Sequence, residues 1–363
     1  MKMSTSTILL GTGVFLLISS IFLFFVGPEF IQSRLYEFES NERGPAGDAF
    51  NGILGPVIAW IAAILTFAAF YIQYEANQQQ RKKLEEQSVE VATDRFENKY
   101  FELIRLHRAN VDEMNIQDLI KQRKVFIPMF YEFRYIYYLA EKYYKEFEKQ
   151  VIEDNDKIEL INIAYLLFFF GVGYNSDKTH TELFEKYLQK QFYLKLVEEL
   201  KKTKSNYKQW HQKTGDDGKI KISSSEFGEI VFKVKYKPFN GHSEKLGHYF
   251  RHLFQAVKFI DEQTGKYFTP DVKYKYVKTL RAQLSNFEQL LLYYNHLSVI
   301  GHPWKKFLKD YHLIKNIPLP YADFGVAPQD FFKNEIEEVK KRKDGKEFFE
   351  WFEIKNLITT NLK

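Results

Sequence analysis

The chain has 363 residues, 52 Lys and Arg against 47 Asp and Glu, and a formal net charge of +5. The absence of cysteine excludes a disulfide framework and thiolate-ligated metal, and agrees with a reducing compartment. Outside two charge-free stretches near the N-terminus, charges of both signs are interspersed, a balance that suits a solvated surface at least as well as a nucleic-acid footprint.

Two stretches near the N-terminus, 3–28 and 49–74, carry no charged residue. Their apolar cores, 8–26 and 53–71, are each long enough for a helix to cross a hydrocarbon layer of ~30 Å. Only helices or closed barrels satisfy their own backbone in lipid, so the pair reads as a two-helix transmembrane hairpin over 1–75. Lys2 ahead of the first run also fits a cleaved signal peptide. That run, however, exceeds the usual core of about 7–15 residues, and bulky Phe22, Phe24 and Phe25 stand where small residues would be wanted. The loop at 27–52 holds Arg34 and Arg43 among five carboxylates, whereas Lys2, Arg81, Lys82 and Lys83 flank the other ends. Positive residues stay inside, so both termini are expected in the cytoplasm.

A helical stalk is expected over 76–94, with Asp94 and Glu97 forming a capping-box-like start for the next helix. The main domain then covers 95–325 and is mostly α. Its expected helices are 96–111, 129–151 with lysines and glutamates outward, a buried apolar helix at 158–172, and amphipathic helices at 181–202, 245–263 and 274–299. Gly171 and Gly173 form a G-x-G that lacks the strand and helix of a phosphate loop. Within 205–240 a small β insertion is expected, with Ile230, Phe232, Val234 and Tyr236 on one face and 219–223 as the pairing strand. Residues 326–363 read as a charged helical tail.

Three of these helices carry a polar stripe beside an apolar one. His248, Arg251 and His252 share a face of 245–263. Arg281, Ser285, Glu288 and Asn295 follow the seam of 274–299, and 96–111 adds Glu102, Arg105, His107 and Asn110. Gathered together, these groups could bind phosphate or supply acid–base chemistry for RNA cleavage. They could equally be a buried network that fixes helix register, with Arg281–Glu288 or Arg251–Glu102 as pairs. No catalytic spacing is present: there is no R-x4-H, no H-E-x-x-H and no paired-carboxylate metal motif. No metal and no cofactor is expected.

At these residues the sequence resembles a known family. FENKYFELIRLHRANV at 96–111 is similar to the F-E-x-x-F-F-E-L-L-x-L-H-x-x-N-V stretch of the AbiC-like phage abortive infection proteins. YFRHLF at 249–254 and LRAQLSNFE at 280–288 resemble two further segments of that family, with Leu290, Leu291 and Asn295 continuing the last. Tyr100 departs from the expected phenylalanine, and 205–240 and the chain beyond 325 have no counterpart. The resemblance covers roughly 95–315 and implies bacterial antiviral defence, often with two N-terminal membrane helices, but no chemistry. The resulting expectation is a multi-pass inner-membrane effector of abortive infection that perturbs the membrane when triggered. Alternatives are a membrane-tethered RNase or nucleotide-acting enzyme, and a tethered sensor of a phage product. Expected partners are the lipid bilayer, further copies of the chain, and a defence protein or phage-derived trigger, with nucleic acid left open.

Overall fold

Between Pro56 and Pro128 no glycine or proline interrupts the chain, and a single helix, α1, runs over Arg43–Asp112. The computed structural model describes residues 11–15, 18–19, 21–22, 25–26, 43–149, 151–172, 184–207, 219–224, 228–233, 236–342 and 347–350. Helix α1 corrects two expectations. It begins inside the stretch read as a loop, since Pro45 in a first turn is compatible with helix. It also passes through Asp94 without restarting, because nothing there breaks the backbone ladder.

The chain divides into two compact units, Met1–Arg95 and Phe96–Lys363, with the boundary inside α1. In the first unit, the stretch of α1 from Gly55 onward is long and apolar enough to cross a membrane. Its large side chains lie bare: Trp60 is 72% exposed and Phe67 73%, and Ile64, Phe70 and Tyr74 are exposed as well. A core helix of a water-soluble domain would bury such residues. Of the first apolar run, the described residues 11–15, 18–19, 21–22 and 25–26 are helical. The rest of that run, and residues 27–42 of the expected loop, lie outside the described residues.

In the second unit the end of α1 presents Phe96, Tyr100, Ile104, His107 and Val111 as a buried stripe at helical spacing. Phe96 meets the rings of Phe259, Phe268 and Tyr276 at 4.7–5.2 Å, and the Tyr100 hydroxyl donates to the Tyr276 carbonyl at 2.8 Å. Two helices form the centre. One is α3, Asp154–Phe170, which opens on a Glu153/Asp156 capping box and is apolar nearly all round. The other is α7, Asn286–Leu297, buried from Glu288 to Leu297. Helix α2, Phe126–Phe147, packs on both, and the rings of Phe133, Tyr165, Phe168, Tyr294 and Phe324 interlock among them. Around this centre lie α4 (Gln191–Ser205), α5 (Ser243–Asp261), α6 (Pro270–Arg281), α8 (Lys305–Tyr311), α9 (Pro328–Phe331) and α10 (Lys333–Lys341).

The mostly α architecture with a small sheet holds. A two-residue ladder joins β1 (Asn115–Ile116) to β2 (Ile120–Lys121), and β3 (Lys219–Ser224) pairs antiparallel with β4 (Gly228–Lys233), Ile222 opposite Ile230. The second strand is shorter than expected. It is described over Gly228–Lys233, Val234 lies outside the described residues, and Tyr236, expected on the strand, lies outside it with its side chain buried. The expected helix at 181–202 is a 3-10 turn, Glu185–Tyr187, followed by α4, because the Tyr187 hydroxyl is drawn to Glu159 at 2.6 Å and Lys190 is extended. Its residues 181–183 lie outside the described residues. The described part of the tail is less solvated than its charge suggests, with Phe348 and Phe349 buried and Glu350 N–H donating to the Lys315 carbonyl at 2.9 Å; residues 343–346 and 351–363 lie outside the described residues.

Candidate functional site

The helix expected over 274–299 is two helices, and the break decides what its polar residues do. α6 ends at Arg281 and α7 begins after Ser285, whose hydroxyl accepts from Glu288 N–H while the Glu288 carboxylate accepts from Ser285 N–H at 2.6 Å. This reciprocal Ser-x-x-Glu box satisfies amide donors that a helix start leaves open. The seven-residue spacing of Arg281, Glu288 and Asn295 therefore does not put them on one face. Arg281 is buried and donates to the carbonyls of His312 at 2.9 Å and Tyr311 at 3.4 Å, holding the segment after α8 rather than pairing with Glu288.

Glu288 has other partners. Its carboxylate, almost fully buried, accepts from the Tyr249 hydroxyl at 2.8 Å and stands 3.2 Å from the Arg123 guanidinium. Burial, then the adjacent carboxylate, pushes the Tyr249 hydroxyl well above its ordinary value. The Tyr249 ring lies 5.2 Å from His107, which is completely buried with neither ring nitrogen bonded among the described residues. Burial above all, then the charges of Arg123, His252 and Arg108, pushes His107 down to about 4. Arg108 and Arg123 both reach Gln283 in the break, Arg123 Nη2 meeting its carbonyl at 2.7 Å. Asn110 is half-buried with its amide nitrogen unbonded, and the half-buried His252 has an unbonded Nδ1. The structure thus brings together His107, Ser285, Glu288 and, close by, His252, with Arg123 and Tyr249 completing the network.

The other candidates stand apart. Glu102 and Arg105 form an exposed i,i+3 ion pair, so the Arg251–Glu102 pairing does not occur. His248 is exposed, its ring 6.1 Å from His252. Arg251 and Asn295 meet instead at an open cleft of about 280 Å³, walled by Phe250, Phe254, Trp304 and Phe169. Among the described residues no group of three or more His, Asp or Glu is placed to hold a metal ion.

One buried cluster was not expected from sequence. Glu132 of α2, read as outward-facing, is fully buried. It accepts from the Tyr236 hydroxyl, from Phe239 N–H at 2.8 Å and from His242 Nε2 at 3.1 Å. Its apolar neighbours Met129, Phe133, Tyr135 and Ile136 are the signal that could have placed it inward. These bonds fasten the return from the β3–β4 hairpin onto α2. There Gly171 and Gly241 cross with φ of +80° and +86°. A Cβ on either would meet the other strand's backbone at 2.4–2.5 Å, so only glycine fits.

Residues 241–321 match a family model described as Putative phage abortive infection protein. His248, Arg251, His252, Arg281, Ser285, Glu288 and Asn295 lie within that match, whereas 96–111 lies outside it. No curated protein and no solved structure matches the chain.

Proposed function

From that family match we propose that the chain is a membrane-anchored effector of anti-phage defence, acting by abortive infection at the bacterial inner membrane. The observation that carries the membrane part is the bare apolar surface of α1, with Trp60, Phe67 and Phe70 uncovered by any described residue. A second helix beside it completes a hairpin. Gly13 is buried, and a Cβ there would stand 2.9 Å from the Leu65 side chain, the close approach that small residues allow between membrane helices. Positive residues at Lys2 and Arg81–Lys83 favour a cytoplasmic location for both termini.

In this reading the hairpin breaches the membrane when infection is sensed, and the Phe96–Lys363 unit restrains it until then. Self-association, and a phage product or defence protein as trigger, belong to the same proposal. The His107–Tyr249–Glu288 network acts as a clamp joining the end of α1 to α5 and α7. Its complete burial gives substrate no path to His107.

The test is Ala63→Arg in the full chain, which places a charge mid-span at a cost of about 2.5–3.5 kcal/mol on insertion scales. Phage protection and dye-reported membrane depolarisation should both disappear, with the protein still accumulating. Depolarisation and protection that survive the charge would overturn the membrane mechanism. So would growth arrest with RNA degradation by a chain beginning at Asp94.

A further inference from the structure

The cleft beside α5 is not used by the clamp, and its chemistry is specific. Phe250, Phe254 and Trp304 supply aromatic walls, Phe254 and Trp304 meeting edge to face at 5.1 Å. Among the described residues Arg251 is the one charged group lining it. That guanidinium is exposed and makes no hydrogen bond or ion pair among the described residues. Asn295, 4% exposed, adds a buried amide. An aromatic cleft with an unpaired cation and no carboxylate in its lining is complementary to a flat ring carrying a negative group. The volume of about 280 Å³ is at the small end for ligand sites, which limits the occupant to about one base, one sugar and one anionic group.

The geometry points to a binding site for a free nucleoside monophosphate, its base against Phe254 and Trp304 and its phosphate on Arg251. Base–aromatic stacking tolerates every base, so the site discriminates by size and charge more than by base identity. This assignment concerns the Phe96–Lys363 unit and stands whether or not the hairpin breaches a membrane.

The experiment is isothermal titration of full-length protein in detergent with AMP, GMP, CMP and UMP, beside adenosine and inorganic phosphate. Binding of the monophosphates below 1 mM (~4 kcal/mol) is expected, with both controls weaker. Arg251→Ala should weaken it about 10- to 100-fold, the loss of one charge-assisted contact. Arg251 is exposed and makes no hydrogen bond or ion pair among the described residues, so the variant should melt as the parent does. Phe254→Ala should weaken binding about 5- to 100-fold through lost stacking. Absence of heat at 1 mM overturns the assignment, as does an affinity unchanged by Arg251→Ala. Phosphate or adenosine binding as well as AMP also overturns it, and so does a short RNA binding where AMP does not.

Discussion

Acidification from pH 7 to pH 5 should destabilise the folded chain through two buried imidazoles. His107 and His296 are each pushed from an ordinary 6.5 to about 4, in both cases mainly by burial. A histidine whose folded value is depressed is neutral in the fold and protonated in the unfolded chain between the two values. Its stabilisation is complete above pH 6.5 and is lost as pH falls toward 4. At pH 5 the unfolded group is almost fully protonated and the folded one almost wholly neutral. Each histidine then withdraws about 2 kcal/mol, or about 4 kcal/mol together, from two shifts acting over 1.5 pH units at 1.36 kcal/mol per unit. For a domain of this size that lowers Tm by roughly 8–16 °C. Melting followed by circular dichroism at half-unit pH steps measures it. His107→Leu should remove about half of the pH 7-to-5 difference, and His296→Leu a similar part. A melting temperature flat from pH 7 to 5, or an undiminished slope in both variants, would refute the neutral buried imidazoles.

At the start of α7, Ser285→Ala should cost about 1 kcal/mol in urea unfolding, the usual price of a lost cap. Glu288→Ala also strands the Tyr249 hydroxyl, so it should cost about 2–5 kcal/mol. Equal losses would mean that Tyr249 draws nothing from the carboxylate. The natural lack of cysteine allows topology to be read by labelling. Cysteine at Ser40 should react with an impermeant thiol reagent on intact spheroplasts, while cysteine at Ser205 should not. The opposite pattern would reverse the orientation.

The apolar span in α1 was legible because freedom from charge over a long run needs no partner to be recognised. The stripe from Phe96 to Val111 was legible because its spacing matches a helix turn. The break between α6 and α7 is hidden by an ambiguous pattern: Ser285 and Glu288, three apart, fit a helical stripe, and the same spacing is also a helix-start signal. The apolar neighbours of Glu132 turn it inward but do not name its partners, since Tyr236, Phe239 and His242 lie more than 100 residues away. The same distance conceals Arg123, whose carboxylate partner belongs to another helix. Long-range polar pairing decided what local periodicity could not.

The crossing of Gly171 over Gly241 also bears on how the molecule can be engineered. Val172 N–H donates to the Phe239 carbonyl at 2.9 Å, and the ammonium of Lys204 reaches the carbonyls of both residues. The chain thus departs after α4 and comes back at one stapled point, with Glu132 locking the return. Strand β4 itself packs on α2, so what can change in length is the connection between β3 and β4, beyond their last paired residues Ser224 and Gly228. That makes the β3–β4 connection the natural graft position for an epitope or a fluorescent domain, leaving both termini and the apolar N-terminal segments untouched.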